Sequence, residues 1–330
     1  MMMLKVLEDE SAIKKYRRQF VKSFSPFVDD KLHVNLGHPG GAFSARVFWS
    51  SRLGIWMYHE KISGNRCGHA FGVGKPAGAS PVSITCEINF PLRGIDRRMG
   101  GALAKDRHGR IFVVHRGKIG GGKKGVGKSL FEKHYRGAWS VMEDGDAETA
   151  VALVGALNSP RFVRQVTQFV RKVNQMKDVM SRRSPQMEIT FDEPRFREEL
   201  VDYGCDRFGC NPDLSCDHGL IVSDLHSALK RKGFTVGNDV TVDLFVVDAD
   251  RRITTVFQVM TESSTAVVHA GMSKLLLSGV DLPGPPRLIL VLPRGTDQPL
   301  SEKLRKLGIH ILEYEWQEDL AVFSSLSAFI

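Results

Sequence analysis

The stretch that most constrains this chain runs from Val240 to Ser264, VTVDLFVVDADRRITTVFQVMTESS. Two apolar runs flank a polar turn at Asp248 to Arg252, the alternation and turn chemistry of an antiparallel hairpin. Asp243 lies on the first strand, and Gln258, Met260 and Thr261 lie at the far end of the second. An acidic side chain facing a short polar cluster across a hairpin is an arrangement that can hold a hard divalent cation through oxygen ligands.

The elements around the hairpin follow from periodicity. A helix over Gly219 to Lys232 precedes it, and a helix with a small-residue face follows over Thr265 to Ser278. Then come an apolar strand (Arg287 to Leu292), a short helix (Ser301 to Leu307) and a closing strand (Ile309 to Tyr314). In this order, and with Asp243 in this place, the segment Leu214 to Trp316 resembles the PD-(D/E)XK nuclease superfamily, in the arrangement of restriction-related proteins. The resemblance covers about a third of the chain and rests on element order more than on motif. It implies a restriction-endonuclease-like α/β core that hydrolyses phosphodiesters with Mg²⁺.

Asp243 matches that family's metal-binding aspartate, while the (D/E)XK triplet reads Gln258, Val259, Met260. Gln258 still offers an amide oxygen to Mg²⁺. Met260 does not replace a lysine that would orient water and stabilise charge on the phosphate. Either Lys274 on the following helix supplies that ammonium, or the domain only binds nucleic acid. Asp243 as a plain solvated residue at a strand edge is the third alternative.

Charge divides the chain. Of its 330 residues, 31 to 140 carry 19 Lys and Arg against 5 Asp and Glu, whereas 141 to 330 carry 21 against 27. The same basic segment holds 20 of the 32 glycines. All of the basic excess thus falls in one domain-sized piece, the footprint of a polyanion binder, with double-stranded DNA as the expected partner. Apolar runs fall short of the ~18 residues of a membrane span, and the charged start MMMLKVLEDES does not resemble a signal peptide, so a cytoplasmic protein is expected. Five cysteines, an odd number, do not suggest a disulfide framework.

In chain order, Asp9 to Phe24 reads as a short amphipathic helix through Ile13, Tyr16, Phe20 and Val21. From Lys31, aromatic-rich strand pieces alternate with Gly and Pro, predicting a mostly β, barrel-like domain that ends near Gly137. Within it, Trp49, Trp56, Tyr58 and Phe71 are candidates to stack on a base, with core packing as the alternative. Arg93, Arg97 and Arg98 form a compact basic loop suited to phosphate or guanine. His115 and Arg116 end a strand and lead through Lys118 into a basic glycine run, making that junction the expected reading head.

The run Gly122 to Ser129, GKKGVGKS, matches G-x-x-x-x-G-K-[ST]. A P-loop NTPase is one reading. The other is a loop whose amides and Lys123, Lys124 and Lys128 grip DNA phosphates. The second fits better, because the preceding strand ends six residues too early and no βαβ succession follows.

A helix is expected over Asp146 to Leu157, and a second beginning at Ser159-Pro160. Phe162, Val166, Phe169, Val173, Met176 and Met180 give the second helix a heptad seam, for a homodimer or for packing between domains. Arg182 to Pro194 reads as linker. Cys205, Cys210, Cys216 and His218 have the ligand chemistry of a zinc site but no common zinc spacing, and free cysteines in a loop are the alternative.

The fold class expected is therefore α+β and α/β in two domains: a basic Gly-rich β recognition domain (1–140), a helical linker region (141–204) and a nuclease-fold domain (205–330). The function expected is a DNA-binding restriction-type or phage-defence endonuclease, with sensing of modified DNA as one role open to it. A non-catalytic DNA-binding protein on a degenerate nuclease fold and a P-loop NTPase stand as alternatives.

Overall fold

The computed structural model describes residues 3–38, 40–62, 64–77, 81–120, 127–181, 196, 216–239, 241–280, 282 and 284–329. The chain forms two compact units of mixed α and β structure, one of Met1–Arg183 with Cys205–Cys216, the other of Ser184–Gly204 with Asp217–Ile330. Among the described residues no helix is long and apolar enough to cross a membrane.

The first unit begins with β1 (Met3–Val6) and α1 (Glu10–Ser23), whose start is capped by Asp9 accepting from the Ala12 amide at 2.8 Å. Next come β2 (Asp30–His38), β3 (Gly41–Ser50), β4 (Ile55–Ile62) and β5 (Arg66–Val73), followed by the short β6 (Val82–Ser83), β7 (Cys86–Glu87) and β8 (Phe90–Pro91). The unit is completed by β9 (Gly101–Lys105), β10 (Ile111–His115), α2 (Lys128–His134), β11 (Trp139–Asp144), β12 (Ala147–Ala156) and α3 (Phe162–Ser181).

These strands form two sheets. β2 to β5 make an antiparallel meander extended by β6, β7 and β8. The other five close a barrel in the order β1-β11-β12-β10-β9. Closure depends on β1, which pairs parallel with β11 (Met3 opposite Val141) and antiparallel with β9 (Lys5 opposite Lys105).

The helix expected over Asp146 to Leu157 is instead the strand β12. Gly145, at φ +74°, opens a two-residue turn from Asp144 to Ala147, the positive φ that tight hairpins require. Thr149, Val151 and Val154 then suit a strand paired on both edges.

The helix after Ser159 forms as expected. Its seam residues Phe162, Val166, Phe169, Val173 and Met176 belong to the first unit's own core, beside Phe71, Phe90 and Phe131. That corrects both uses proposed for the seam, and of the region read as linker, 141–204, residues 141–183 belong to the first unit. The stretch Arg182 to Pro194 lies outside the described residues.

The second unit runs α4 (His218–Arg231), β13 (Thr235–Gly237), β14 (Leu244–Val247), β15 (Ile253–Val259), α5 (Thr265–Val280), β16 (Arg287–Pro293), α6 (Gln298–Lys306), β17 (Ile309–Gln317) and β18 (Leu320–Val322). One sheet follows that strand order, with β13, β14 and β15 antiparallel and β15, β16 and β17 parallel. The parallel pairs need crossovers, and α5 and α6 provide them.

Strand alternation separates two apolar layers in this unit. Phe257, Val259, Ile289 and Val291 pack with Ile221, Leu225 and Leu229 of α4. Val256, Met260, Leu290 and Leu292 pack with Val268 and Leu275 of α5. Gly271 lets α5 approach closely, since a Cβ there would lie 2.6 Å from Met260 Sδ.

Candidate functional site

Asp243 sits just before β14, beside the C-terminal end of β15, and is 7% exposed. Its Oδ2 accepts from the Val259 amide at 2.8 Å and from Gln258 Nε2 at 2.5 Å. His218, the first residue of α4, lies with Nε2 3.2 Å from the same oxygen and 3.1 Å from the Val259 carbonyl. A carbonyl only accepts, so that nitrogen carries the proton and donates to both. Three donors therefore converge on one carboxylate oxygen, tying the start of α4 to the hairpin.

This arrangement uses Asp243 and Gln258 differently from a shared cation site. A glutamate at 258 would bring two carboxylates together and demand a cation or a proton between them. The amide of Gln258 satisfies the aspartate directly. Asp243 Oδ1 receives no donor among the described residues.

Met260 is 4% exposed and wedged against Gly271 and Leu290. Lys274 is half-buried on α5, and among the described residues no hydrogen bond or ion pair joins it to Asp243. Cys205 and Cys210 lie outside the described residues, Cys216 is buried, and His218 turns its Nε2 to Asp243 and the Val259 carbonyl. Among the described residues no group of three or more His, Cys, Asp or Glu could hold a metal ion.

No family model, curated protein or solved structure matches this chain.

In the first unit the structure corrects the expected reading head. Arg116 is buried and grips the equally buried Asp144 with two parallel bonds, Nε to Oδ2 at 2.8 Å and Nη2 to Oδ1 at 2.7 Å. Its remaining nitrogen reaches the carbonyls of Met99 and Gly101 at 3.3 Å. His115 is fully buried, with Nε2 at 3.1 Å from the Glu87 carbonyl and Nδ1 accepting from the Gly117 amide. Neither side chain faces solvent. The aromatics are corrected too: Trp49, Trp56 and Tyr58 form a core cluster, and Phe71 lies in the main core, so none presents a ring to a base.

The basic loop keeps its exposure. Asn65 pins it by accepting from the Leu92 and Arg93 amides and donating to the Arg93 carbonyl. From this rigid base Arg93 and Arg98 project into solvent. Arg97 is drawn back onto Asp146 at 2.8 Å, and Lys118 donates to the Arg97 carbonyl at 2.9 Å. Lys123 and Lys124 lie outside the described residues. Lys128 opens α2 with Glu132 3.7 Å away, and the strand before it, β10, is antiparallel to both of its neighbours, unlike the strand that feeds a P-loop in a parallel sheet.

Two features escaped the sequence reading. α1 carries Lys14, Arg18 and Lys22 four residues apart, an exposed cationic stripe. Beneath that helix, cross-strand partners His59 and His69 approach to 3.0 Å between their Nδ1 atoms. Only the alternation of β4 and β5 could have signalled the pairing.

Burial pushes three imidazoles down, His59 and His115 to about 4 and His69 in the same direction, with His59 and Arg17 adding to the shift on His69. All three are neutral in the folded state. Between pH 6.5 and 4 the unfolded chain binds their protons while the folded chain does not, so stability is held above about 6.5 and lost on acidification. His115 alone removes on the order of 3 kcal/mol by pH 4, at about 1.4 kcal/mol per unit. Denaturant midpoints measured from pH 7 to 4 should fall steeply, and less so in His115→Gln.

Proposed function

We propose that this is a DNA-binding protein of the restriction or defence type, in which the first unit grips the nucleic acid and the second is a nuclease-like scaffold that no longer cleaves. What carries the reading is the cationic surface of the first unit, where Arg93 and Arg98 project from a loop pinned by Asn65 within a segment holding 19 Lys and Arg against 5 acids. Exposed guanidiniums on a rigid base position a phosphate backbone without ordering a flexible loop.

The order of α4, β13 to β15, α5 and β16 supports a restriction-endonuclease-like core for the second unit. Its chemistry argues against cleavage: Gln258 turns an N–H toward Asp243, and Met260 puts a thioether where an ammonium would stabilise the phosphate. A metal-dependent endonuclease using Asp243 and Mg²⁺ is the second reading, favoured by Asp243 Oδ1, which receives no donor among the described residues.

The test is duplex binding by the full chain over a salt series, with parallel incubation of modified and unmodified plasmids in Mg²⁺ or Mn²⁺. The expected result is affinity that falls steeply with salt as counterions are released. Arg93→Glu with Arg98→Glu should weaken it at least tenfold, and every plasmid should remain intact. Metal-dependent cleavage that Asp243→Asn abolishes would establish the second reading. Affinity indifferent to salt would end both.

A further inference from the structure

The cleft under α1 combines a basic end, an apolar end and unmet polar atoms. Its basic end, a cavity of about 440 Å³, is lined by Arg17, Arg18, Lys22, His59 and His69. An apolar cavity of about 370 Å³ adjoins it through Val21, Ser25 and His59, and is walled by Phe24, Val28, Phe48 and Met57. Both fall in the size range of small-molecule sites.

Three observations point to a ligand. The stripe Lys14, Arg18 and Lys22 places like charges at i,i+4, which costs helix stability, and none of the three has an ion-pair partner among the described residues. His69 is 2% exposed, yet among the described residues its Nε2 has no hydrogen-bond partner, and neither does the buried Nε of Arg17 beside it, whose Nη1 reaches Cys67 Sγ at 2.6 Å. Unmet buried polar atoms are rare and call for an explanation.

The third observation is the tautomer logic of the histidine pair. Of two neutral imidazoles bonded Nδ1 to Nδ1, the donor keeps a bare Nε2 and the acceptor carries its proton on Nε2. The pair as a whole thus offers one acceptor and one donor. An anionic group suits the Arg17–Arg18–Lys22 end, a flat ring suits Phe48 and Met57, and a donor-acceptor edge suits the histidines between them.

We infer that the cleft between α1 and the β4–β5 face is a nucleotide site, taking a phosphate at Arg17, Arg18 and Lys22 and a base against Phe48 and His59. The inference rests on the reading of the first unit as the nucleic-acid-gripping unit. The bound nucleotide is either a free mononucleotide or the end of a strand. On the same sheet face, by register, Lys31 and His33 of β2 and Arg46 of β3 continue outward as an exposed path for the rest of a chain.

The test uses the full-length protein and calorimetric titration with the four deoxynucleoside monophosphates, inorganic phosphate, a 5′-phosphorylated single strand and a closed circular duplex. At least one monophosphate should bind at least tenfold more tightly than inorganic phosphate. Arg18→Glu with Lys22→Glu, both exposed, should weaken it about tenfold or more, the scale of one charge-assisted hydrogen bond. Phe48→Ala should weaken the monophosphate and leave inorganic phosphate unchanged.

Competition by the 5′-phosphorylated strand but not by the closed duplex identifies a strand end as the source, and no competition by either identifies a free nucleotide. Absence of monophosphate binding, or binding unchanged in the variants, overturns the inference. If the closed duplex still binds with steep salt dependence in that case, the DNA-binding reading survives it. If monophosphates bind and no duplex does, that reading fails and the nucleotide site stands.

Discussion

Arg116→Ala should cost about 3–5 kcal/mol of stability, the scale for removing one partner of a buried ion pair. The loss comes less from the attraction itself than from what remains. Asp144 would keep a buried charge without its two parallel bonds, and the Met99 and Gly101 carbonyls would lose their shared donor. These groups join β11 to the turn before β9, so the barrel should lose cooperativity where it closes. Urea unfolding of the variant checks this. A midpoint unchanged from wild type would mean that Arg116 is free to contact ligand after all. Arg116→Met is expected to be milder only in combination with Asp144→Leu, where both charges are removed and the packing is kept.

Asp243→Ala should destabilise the second unit by about 2–4 kcal/mol. The Val259 amide, the Gln258 amide group and the His218 N–H would all lose their acceptor, and each buried donor left unmet costs about 1–3 kcal/mol, partly relieved by entering water. Hydrogen exchange should accelerate in α4 and at the end of β15 while the first-unit barrel keeps its protection. The opposite outcome is equally informative: a variant as stable as wild type, or more so, is what a carboxylate held in strain for a cation would give. Asp243→Asn separates the effects, since it keeps one acceptor oxygen and removes the charge.

Both predictions turn on residues whose chemistry the sequence suggested and whose partners it hid. The second unit was largely legible because its elements are local. The turn at Asp248 to Arg252, the periodicity of α4 and α5 and the apolar run of β16 each declare themselves within a short window, and their order along the chain is the order in the fold. His218 was read with the cysteines next to it in sequence, whereas its bonds go to residues 25 and 41 positions away. Arg116 and His115 read as a basic junction at a strand end. Their burial depends on Asp144 and Glu87, each 28 residues distant.

The segment Asp146 to Leu157 shows the same limit from the other side. Ala, Glu and Leu favour a helix by propensity, and only the Gly145 turn together with edges offered by β10 and β11 makes a strand the better place for these backbone amides. By itself the sequence determined the two-part division of charge, the hairpin and its flanking helices, and the heptad face of α3, because charge and apolar periodicity are local properties. Only the tertiary structure decided that β1 closes a barrel with strands more than 90 residues away, that α3 is core rather than interface, and that two histidines meet under a cationic helix. Those outcomes depend on which long-range pairings satisfy buried donors and acceptors, and no short window of residues carries that information.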